Sequence, residues 1–272
     1  GISEVDYLAY WGYAASVATL VVALIGPVFG TMADMKNYKK PIFTISMMVG
    51  VLGCAALSFP TSWVIFLAVF VIAKVGFSTS LIFYDSMLSD VTEPERMDEV
   101  SSQGYAWGYI GSCVPFIASL GIVLGNEALG ISMTVAMGIS FFLNAAWWLV
   151  LTLPLLRHYK QTHYSPKRQH AVRDAFGTLY RTFREMKSQK HIFLFLLSFF
   201  FFIDGVYTVI DMATAFGSAL GFDSTMLLLA LLLTQIVAFP FALLFGKVAK
   251  KYRNDVLIKV CIVAYTAIAL FA

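Results

Sequence analysis

Long apolar runs separated by short polar stretches dominate the chain. A helix needs about 20 apolar residues to cross the hydrocarbon core of a bilayer, and eight runs approach or exceed that length. They cover residues 7–32, 41–59, 62–88, 101–124, 130–156, 191–216, 225–247 and 256–272. Because the runs are continuous rather than alternating, they do not fit a membrane β-barrel. The pattern predicts an all-α fold, a polytopic membrane helical bundle.

Composition agrees with the pattern. Of the 272 residues, 59% are hydrophobic and only 13% are charged, whereas a soluble domain has about a quarter of its residues charged. The three cysteines are far apart in apolar runs, and the four histidines are loosely spaced in one polar segment, so neither set has the spacing of a metal site. No phosphate-binding or catalytic motif is present. We therefore expect no enzyme activity, no cofactor and no bound metal.

Lysine and arginine orient the predicted bundle, because they concentrate in the cytoplasmic loops of membrane proteins. Every basic loop lies on one side of the alternating spans, and the loops 1–6, 60–61, 125–129 and 217–224 on the other side contain no lysine or arginine. The basic loops are therefore predicted to be cytoplasmic. The same residues are explained by topology, so nucleic acid is not an expected partner.

The polar segment 157–190 divides the chain into an N-terminal bundle with five spans (1–156) and a partial C-terminal bundle with three (191–272). The segment opens as "RHYKQTHYSPKRQH". Apolar residues then follow at spacings of four and three, among basic ones: Val172, Phe176, Leu179, Phe183 and Met186. This spacing predicts a basic amphipathic helix on the cytoplasmic face of the membrane, within a linker between the bundles.

The first and seventh spans end alike. "VFGTMADMKNYKK" and "LFGKVAKKYRND" both place Phe-Gly before an alanine and a basic turn. Internal repeats of this kind are typical of transporters. If the two spans are equivalent, the repeat unit has six spans. The chain would then be a fragment of a larger protein, without its first helix and its last three.

The stretch "GTMADMKNYKK" resembles the loop between the second and third helices of the major facilitator superfamily. The matching positions are Gly30, Asp34, Lys36, Lys39 and Lys40. By this resemblance the loop is a cytoplasmic gate, in which a carboxylate accepts helix N-terminal N–H groups in one state and loses them in another.

Residues 83–112 ("FYDSMLSDVTEPERMDEVSSQGYAWGYIGS") and 195–217 ("FLLSFFFFIDGVYTVIDMATAFG") resemble the vacuole effluxer-like family of that superfamily. The resemblance implies a major facilitator-type fold of two six-helix bundles around a central cavity, of which about eight of twelve spans are present. It also implies that the spans 62–88 and 191–216 line the cavity. The expected location is a bacterial cell membrane rather than a vacuolar one.

Ionisable residues at membrane depth are costly and usually face the bundle interior. Asp204, Tyr207 and Asp211 share one face of their helix, and Asp85 shares a face with Lys74. We expect these five residues to serve substrate binding or proton coupling, with a Lys74–Asp204 charge pair near the midplane and Asp211 nearer the outside. The alternative is a purely structural buried ion pair.

Other polar and small residues carry weaker signals. Trp107, Asn144 and Gln235 are possible substrate contacts, although interior amides more often join helices. The stripe formed by Gly104, Gly108 and Gly111 is predicted to let helix backbones approach.

The sequence thus predicts a secondary active transporter of small solutes, such as amino acids or other zwitterions, working by proton-coupled alternating access. Its partners would be the substrate, protons or another coupling ion, and the bilayer. The alternatives are a sugar or cation symporter, a drug efflux permease, or a membrane sensor or scaffold that does not transport. A sensor needs no charges inside its spans, so Lys74, Asp204 and Asp211 favour transport. Replacing Asp204 by Asn is predicted to abolish pH-driven uptake.

Overall fold

A computed structural model describes residues 4–59, 62–165, 176–177, 180–182, 184–186 and 189–271. We number the helices α1 to α9, and α4 is followed by a 3-10 turn at Pro94–Arg96. They are α1 (Glu4–Ala33), α2 (Lys39–Ala56), α3 (Trp63–Ser86), α4 (Leu88–Val91), α5 (Met97–Leu124), α6 (Met133–His158), α7 (Lys190–Ala219), α8 (Ser224–Ala249) and α9 (Asn254–Phe271).

Within the described residues, eight of these helices are long and apolar enough to cross a membrane. Each coincides with one of the predicted apolar runs, so the all-α, multi-pass membrane fold is confirmed. Short polar signals set several helix ends. The Ser132 side chain accepts a hydrogen bond from the Val135 N–H at the start of α6, and the Asp223 carboxylate accepts from Thr225 and Met226 at the start of α8.

The two ends of the bundle differ in charge. We call the end that holds the α1–α2 and α8–α9 connections, α4 and residues 159–165 the basic end, and the other the opposite end. A buried apolar cluster lies at the basic end, where Met47 and Phe83 are almost fully enclosed by α2, α3 and α6. Elsewhere the helices expose large apolar side chains over much of their length, as a surface in contact with lipid requires.

The closest helix pair is α2 and α3. A methyl group at Gly76 would overlap the backbone of Gly50 and come within 2.9 Å of the Ser46 carbonyl oxygen. A methyl group at Gly53 would meet Cα of Ala73 at 2.9 Å. Small residues therefore bring these two backbones into direct contact.

The predicted glycine stripe on α5 does not do the same. No described residue lies within 4 Å of a methyl group built at Gly108 or Gly111, and one at Gly104 reaches only the Tyr84 hydroxyl, at 4.0 Å. Among the described residues, these three glycines therefore bring no two helix backbones together, and the packing role stays a prediction. The close contact of α5 with α8 lies nearer the basic end, where a methyl group at Gly246 would be 2.7 Å from Cβ of Ser102.

The remaining C-terminal helices make sparser contacts. On α9 the Tyr265 ring lies against Phe202 at 5.9 Å, and its hydroxyl donates to the Gly205 carbonyl at 3.4 Å. In the segment 157–190, residues 176–177, 180–182 and 184–186 are helical. Val172, Leu179 and Phe183 of the predicted amphipathic helix lie outside the described residues.

Candidate functional site

An ion pair joins the N-terminal helices to α7 at membrane depth. Lys74 Nζ on α3 lies 2.7 Å from Asp211 Oδ1 on α7. The two side chains keep 23% and 27% of their surface exposed. The described residues therefore bury the pair only in part, and the pair connects residues that are 137 positions apart in the chain.

The sequence predicted the wrong aspartate as the partner. Lys74 lies eleven residues after the start of α3, while Asp211 and Asp204 lie eight and fifteen residues before the end of α7. At about 1.5 Å per residue, their depths from the opposite end are roughly 16, 12 and 22 Å. Helical side chains lean toward the N-terminus of their own helix. Lys74 therefore leans toward the opposite end and Asp211 toward the basic end, so these two meet.

Asp204 is exposed at mid-helix, and its carboxylate makes no hydrogen bond or ion pair with any described residue. Its backbone carbonyl accepts from the Thr208 hydroxyl at 2.8 Å. Tyr207 and Asp85 both lie within electrostatic reach of Tyr105 on α5. The structure thus brings polar groups of α3, α5 and α7 together on the basic side of the Lys74–Asp211 pair.

A cavity of about 440 Å³ lies on the other side of the ion pair, toward the opposite end. Trp11 links the two, because its indole N–H donates to the Asp211 carbonyl at 3.4 Å while its ring contacts Phe70 at 4.4 Å. Tyr10 and Trp63 form a second ring contact, at 4.8 Å. The lining comes from α1, α3 and α7: Tyr7, Leu8, Tyr10, Trp11, Trp63, Phe66, Leu67, Ala215, Ser218 and Ala219.

Sequence reasoning missed this aromatic cavity. The signal that could have predicted the cavity is the group of aromatic residues at three span ends, which the predicted topology places on one side of the membrane. The same pattern is common at membrane interfaces, where aromatic rings anchor helices.

The predicted substrate contacts mainly join helices. Asn144 on α6 donates to Ser119 Oγ on α5 at 3.0 Å, and Gln235 on α8 accepts from the Ser112 hydroxyl. Trp107 is 68% exposed and touches Phe239 with ring centroids 6.1 Å apart. Gln235 and Trp107 therefore belong to the α5–α8 contact.

The predicted cytoplasmic gate, residues 30–40, contains a second ion pair, which the sequence did not predict. We call these residues the gate loop. Lys39 Nζ lies 2.9 Å from Asp90 Oδ2 on α4, and the two side chains are 5% and 0% exposed. Lys39 also donates to the Ser86 carbonyl at 3.2 Å. The Tyr159 hydroxyl donates to Asp90 Oδ2 at 2.5 Å.

The other oxygen of Asp90 binds the start of the central segment. Oδ1 accepts from the Thr162 N–H at 3.1 Å, the Thr162 hydroxyl at 3.0 Å and the His163 N–H at 2.8 Å. A carboxylate offers about four lone-pair sites, so five donors saturate it. Burial, together with the hydrogen bond to Asp90, raises the pKa of Tyr159 above its ordinary value.

Residues 159–165, which we call the strap, also lie against the gate loop. The Ser165 N–H donates to the Asp34 carbonyl at 2.7 Å, and the Lys36 N–H donates to the Ser165 carbonyl at 3.1 Å. Gln161 bonds the Ala33 carbonyl at 3.0 Å and the Asn37 N–H at 3.1 Å.

The remaining gate-loop residues take no part in ion pairs among the described residues. Asp34 is exposed, and the Lys36 ammonium lies 5.2 Å from the centre of the Tyr164 ring. The Lys40 carbonyl accepts from the Thr44 hydroxyl at 2.8 Å. At Gly30 an added methyl group would meet no described atom within 4 Å.

Comparison with known proteins places the whole chain in one group. The family model described as vacuole effluxer Atg22 like matches residues 1–272. The chain belongs to the vacuole effluxer Atg22-like family. The predicted family is therefore confirmed. Among the described residues, no group of three or more metal-binding side chains is present.

Two curated proteins are similar to the chain. One, from Bacillus subtilis strain 168, is named an uncharacterized MFS-type transporter, YxiO, and is 39% identical over all of this chain and 64% of its own length. The other, autophagy-related protein 22 from Coccidioides immitis strain RS, is 22% identical over 78% of the chain and 45% of its own length. The chain thus spans about half to two thirds of these relatives. No solved structure matches it.

Proposed function

We propose that the protein is a secondary active transporter that moves small zwitterionic solutes, such as amino acids, by proton-coupled alternating access. Family membership supports the general class, since one relative is named an MFS-type transporter. The observation that carries the proposal is the Lys74–Asp211 ion pair, because it joins two groups of helices at membrane depth and stays partly exposed.

This pair has the chemistry that coupling requires. Asp211 in its charged form holds Lys74, and a proton on Asp211 removes the attraction, so proton binding and separation of α3 from α7 are linked. A zwitterion can separate the same pair by placing its carboxylate on Lys74 and its ammonium group on Asp211. One site can thus respond both to the proton and to the substrate.

The surroundings suit a small solute. The cavity of about 440 Å³ beside the pair falls within the range of small-molecule sites, which are mostly apolar with a few polar groups. Asp85, Tyr207 and Asp204 provide further polar groups on the other side of the pair. We assign them to a path along which a proton or solute continues toward the basic end.

We assign the basic end to the cytoplasm. The loops at that end contain lysine and arginine, whereas the loops 1–6, 60–61, 125–129 and 217–224 at the other end contain none. The location we propose is a bacterial cell membrane, in keeping with the bacterial relative.

Transport in proteoliposomes tests the proposal. Full-length protein is reconstituted, a pH gradient is imposed, and uptake of a radiolabelled mixture of the protein amino acids is measured. Asp211→Asn keeps the shape of the side chain but cannot change its charge. We expect its pH-driven uptake to fall to the level of empty liposomes, while exchange of labelled for unlabelled solute persists.

Asp204→Asn is the matched comparison, since it makes the same change on the same helix, about two turns away. Loss of pH-driven uptake in both variants places both carboxylates on the proton path. Full uptake by Asp204→Asn removes Asp204 from coupling, as full uptake by Asp211→Asn would remove Asp211. A parent protein that takes up none of the labelled amino acids contradicts the proposed substrate class.

A further inference from the structure

The strongest polar network in the described residues lies away from the proposed transport site, at the basic end. The Asp90 carboxylate accepts five hydrogen bonds, and four of them come from the strap, residues 159–165. The strap directly follows α6 and begins the connection toward α7. Asp90 therefore ties the first part of the linker to the helices that precede it.

The strap in turn holds the gate loop. Ser165 pairs with the backbone on both sides of Met35, and Gln161 bonds the end of α1 and the Asn37 N–H. None of these four hydrogen bonds involves Asp90. The loop is thus held by the strap, while the strap is held by Asp90.

A single carboxylate consequently controls two segments. If Asp90 loses its charge, the N–H groups of Thr162 and His163 lose a strong acceptor and Lys39 loses its counter-ion in a buried site. The strap can then leave the surface, and the gate loop loses the partners of Asp34, Lys36 and Asn37.

We infer that Asp90 is a positioning residue. It keeps the strap docked on the N-terminal helices throughout the transport cycle, and through the strap it holds the gate loop in its position. The part of this inference that concerns turnover rests on the proposed function, while the part that concerns docking does not.

Hydrogen exchange of the full-length protein tests docking without any substrate. In Asp90→Asn we expect amide exchange of residues 159–165 to quicken roughly 10-fold or more. Residues 34–38, which do not touch Asp90 by their backbone, should quicken with them. The middle of α2 should stay protected. Glu93→Gln, which neutralises a nearby exposed carboxylate, is the matched control and should change neither segment.

Two outcomes overturn the inference. Unchanged exchange at residues 34–38 would show that the strap does not hold the gate loop, and faster exchange throughout α2 and α3 would show a general loss of structure. If Asp90→Asn fails to fold, Gln161→Ala decides: it leaves Asp90 intact, and it should quicken exchange at residues 34–38.

A cross-link tests whether the strap stays docked during turnover. Met35 and Ser165 are directly paired, so Met35→Cys with Ser165→Cys in a cysteine-free background places two thiols at a distance that a disulfide can span. We expect the oxidised protein to transport at the rate of the reduced one. Transport that stops on oxidation and returns on reduction would show that the strap must detach.

Kinetics separate positioning from general damage. Asp90→Asn should lower the maximal uptake rate several-fold and leave the half-saturating concentration of the amino-acid mixture unchanged. The Met35–Ser165 disulfide in the Asp90→Asn protein should restore both the rate and the protection of residues 34–38. If the disulfide restores neither, the role assigned to the strap is wrong.

Discussion

The Lys39–Asp90 and Lys74–Asp211 pairs each join a lysine to an aspartate, with N–O distances of 2.9 and 2.7 Å. Their surroundings differ. Asp90 is fully buried and its oxygens are saturated by five donors, whereas Asp211 is 27% exposed and its carboxylate has Lys74 as its one described partner. Distance alone therefore does not distinguish a fixed ion pair from one that can open. We expect the number of other donors and the degree of burial to make this distinction.

The largest expected difference is in stability. Asp90→Ala leaves the Lys39 ammonium buried beside a single carbonyl oxygen, and breaking a buried pair in this way costs about 3–5 kcal/mol. Asp211→Ala breaks a pair that is less buried and has fewer donors, so we expect it to cost less than Asp90→Ala. Unfolding of both variants in a denaturing detergent titration gives the two values. Equal costs would contradict the distinction between the pairs.

Double-mutant cycles sharpen the same comparison. We expect Lys39→Met and Asp90→Asn to show a coupling energy of about 2–3 kcal/mol, because neighbouring groups in one network interact strongly. Lys74→Met and Asp211→Asn should show a smaller coupling energy, because this pair is less buried and belongs to no larger network among the described residues. A larger coupling for the second cycle would mean that the Lys74–Asp211 pair is a structural lock rather than a contact that opens.

The smallest effect concerns alkaline pH. The raised pKa of Tyr159 means that the folded protein keeps this proton where the unfolded chain loses it. The stabilisation is therefore present below the ordinary tyrosine pKa of about 10 and is lost as the pH rises above it, by about 1.4 kcal/mol per pH unit. Tyr159→Phe should be less stable than the wild type at pH 8, and the gap should narrow above pH 10. Unfolding measured at both pH values checks this, and a constant gap would exclude the ionisation of Tyr159 as its cause.

The spans were predictable because a helix that crosses a bilayer must be long and apolar, and long apolar runs can be read directly from the sequence. The partner of Lys74 was not. Spacing places Asp204 and Asp211 on one face, but the choice between them depends on the relative depth of two antiparallel helices and on the lean of their side chains.

Asp90 and Tyr159 were missed for a related reason. Each lies at a span end, where a polar residue is expected and carries no signal of its own. Their importance comes from a contact between segments that are 69 residues apart. Likewise, the glycines of α5 and those of α2 and α3 look alike in sequence, yet only the latter meet a neighbouring backbone within the described residues.

The close glycine contact between α2 and α3 makes Lys74 the stationary member of its ion pair. Gly76, two residues beyond Lys74, lies against the backbone of Gly50, so α3 cannot slide along α2 without a steric clash. α7 meets α1 and α3 through a few side chains, among them Asp211 and Met212. In the proposed transport cycle, opening of the pair is therefore a displacement of α7. A distance probe between α2 and α3 should stay constant while one between α3 and α7 changes.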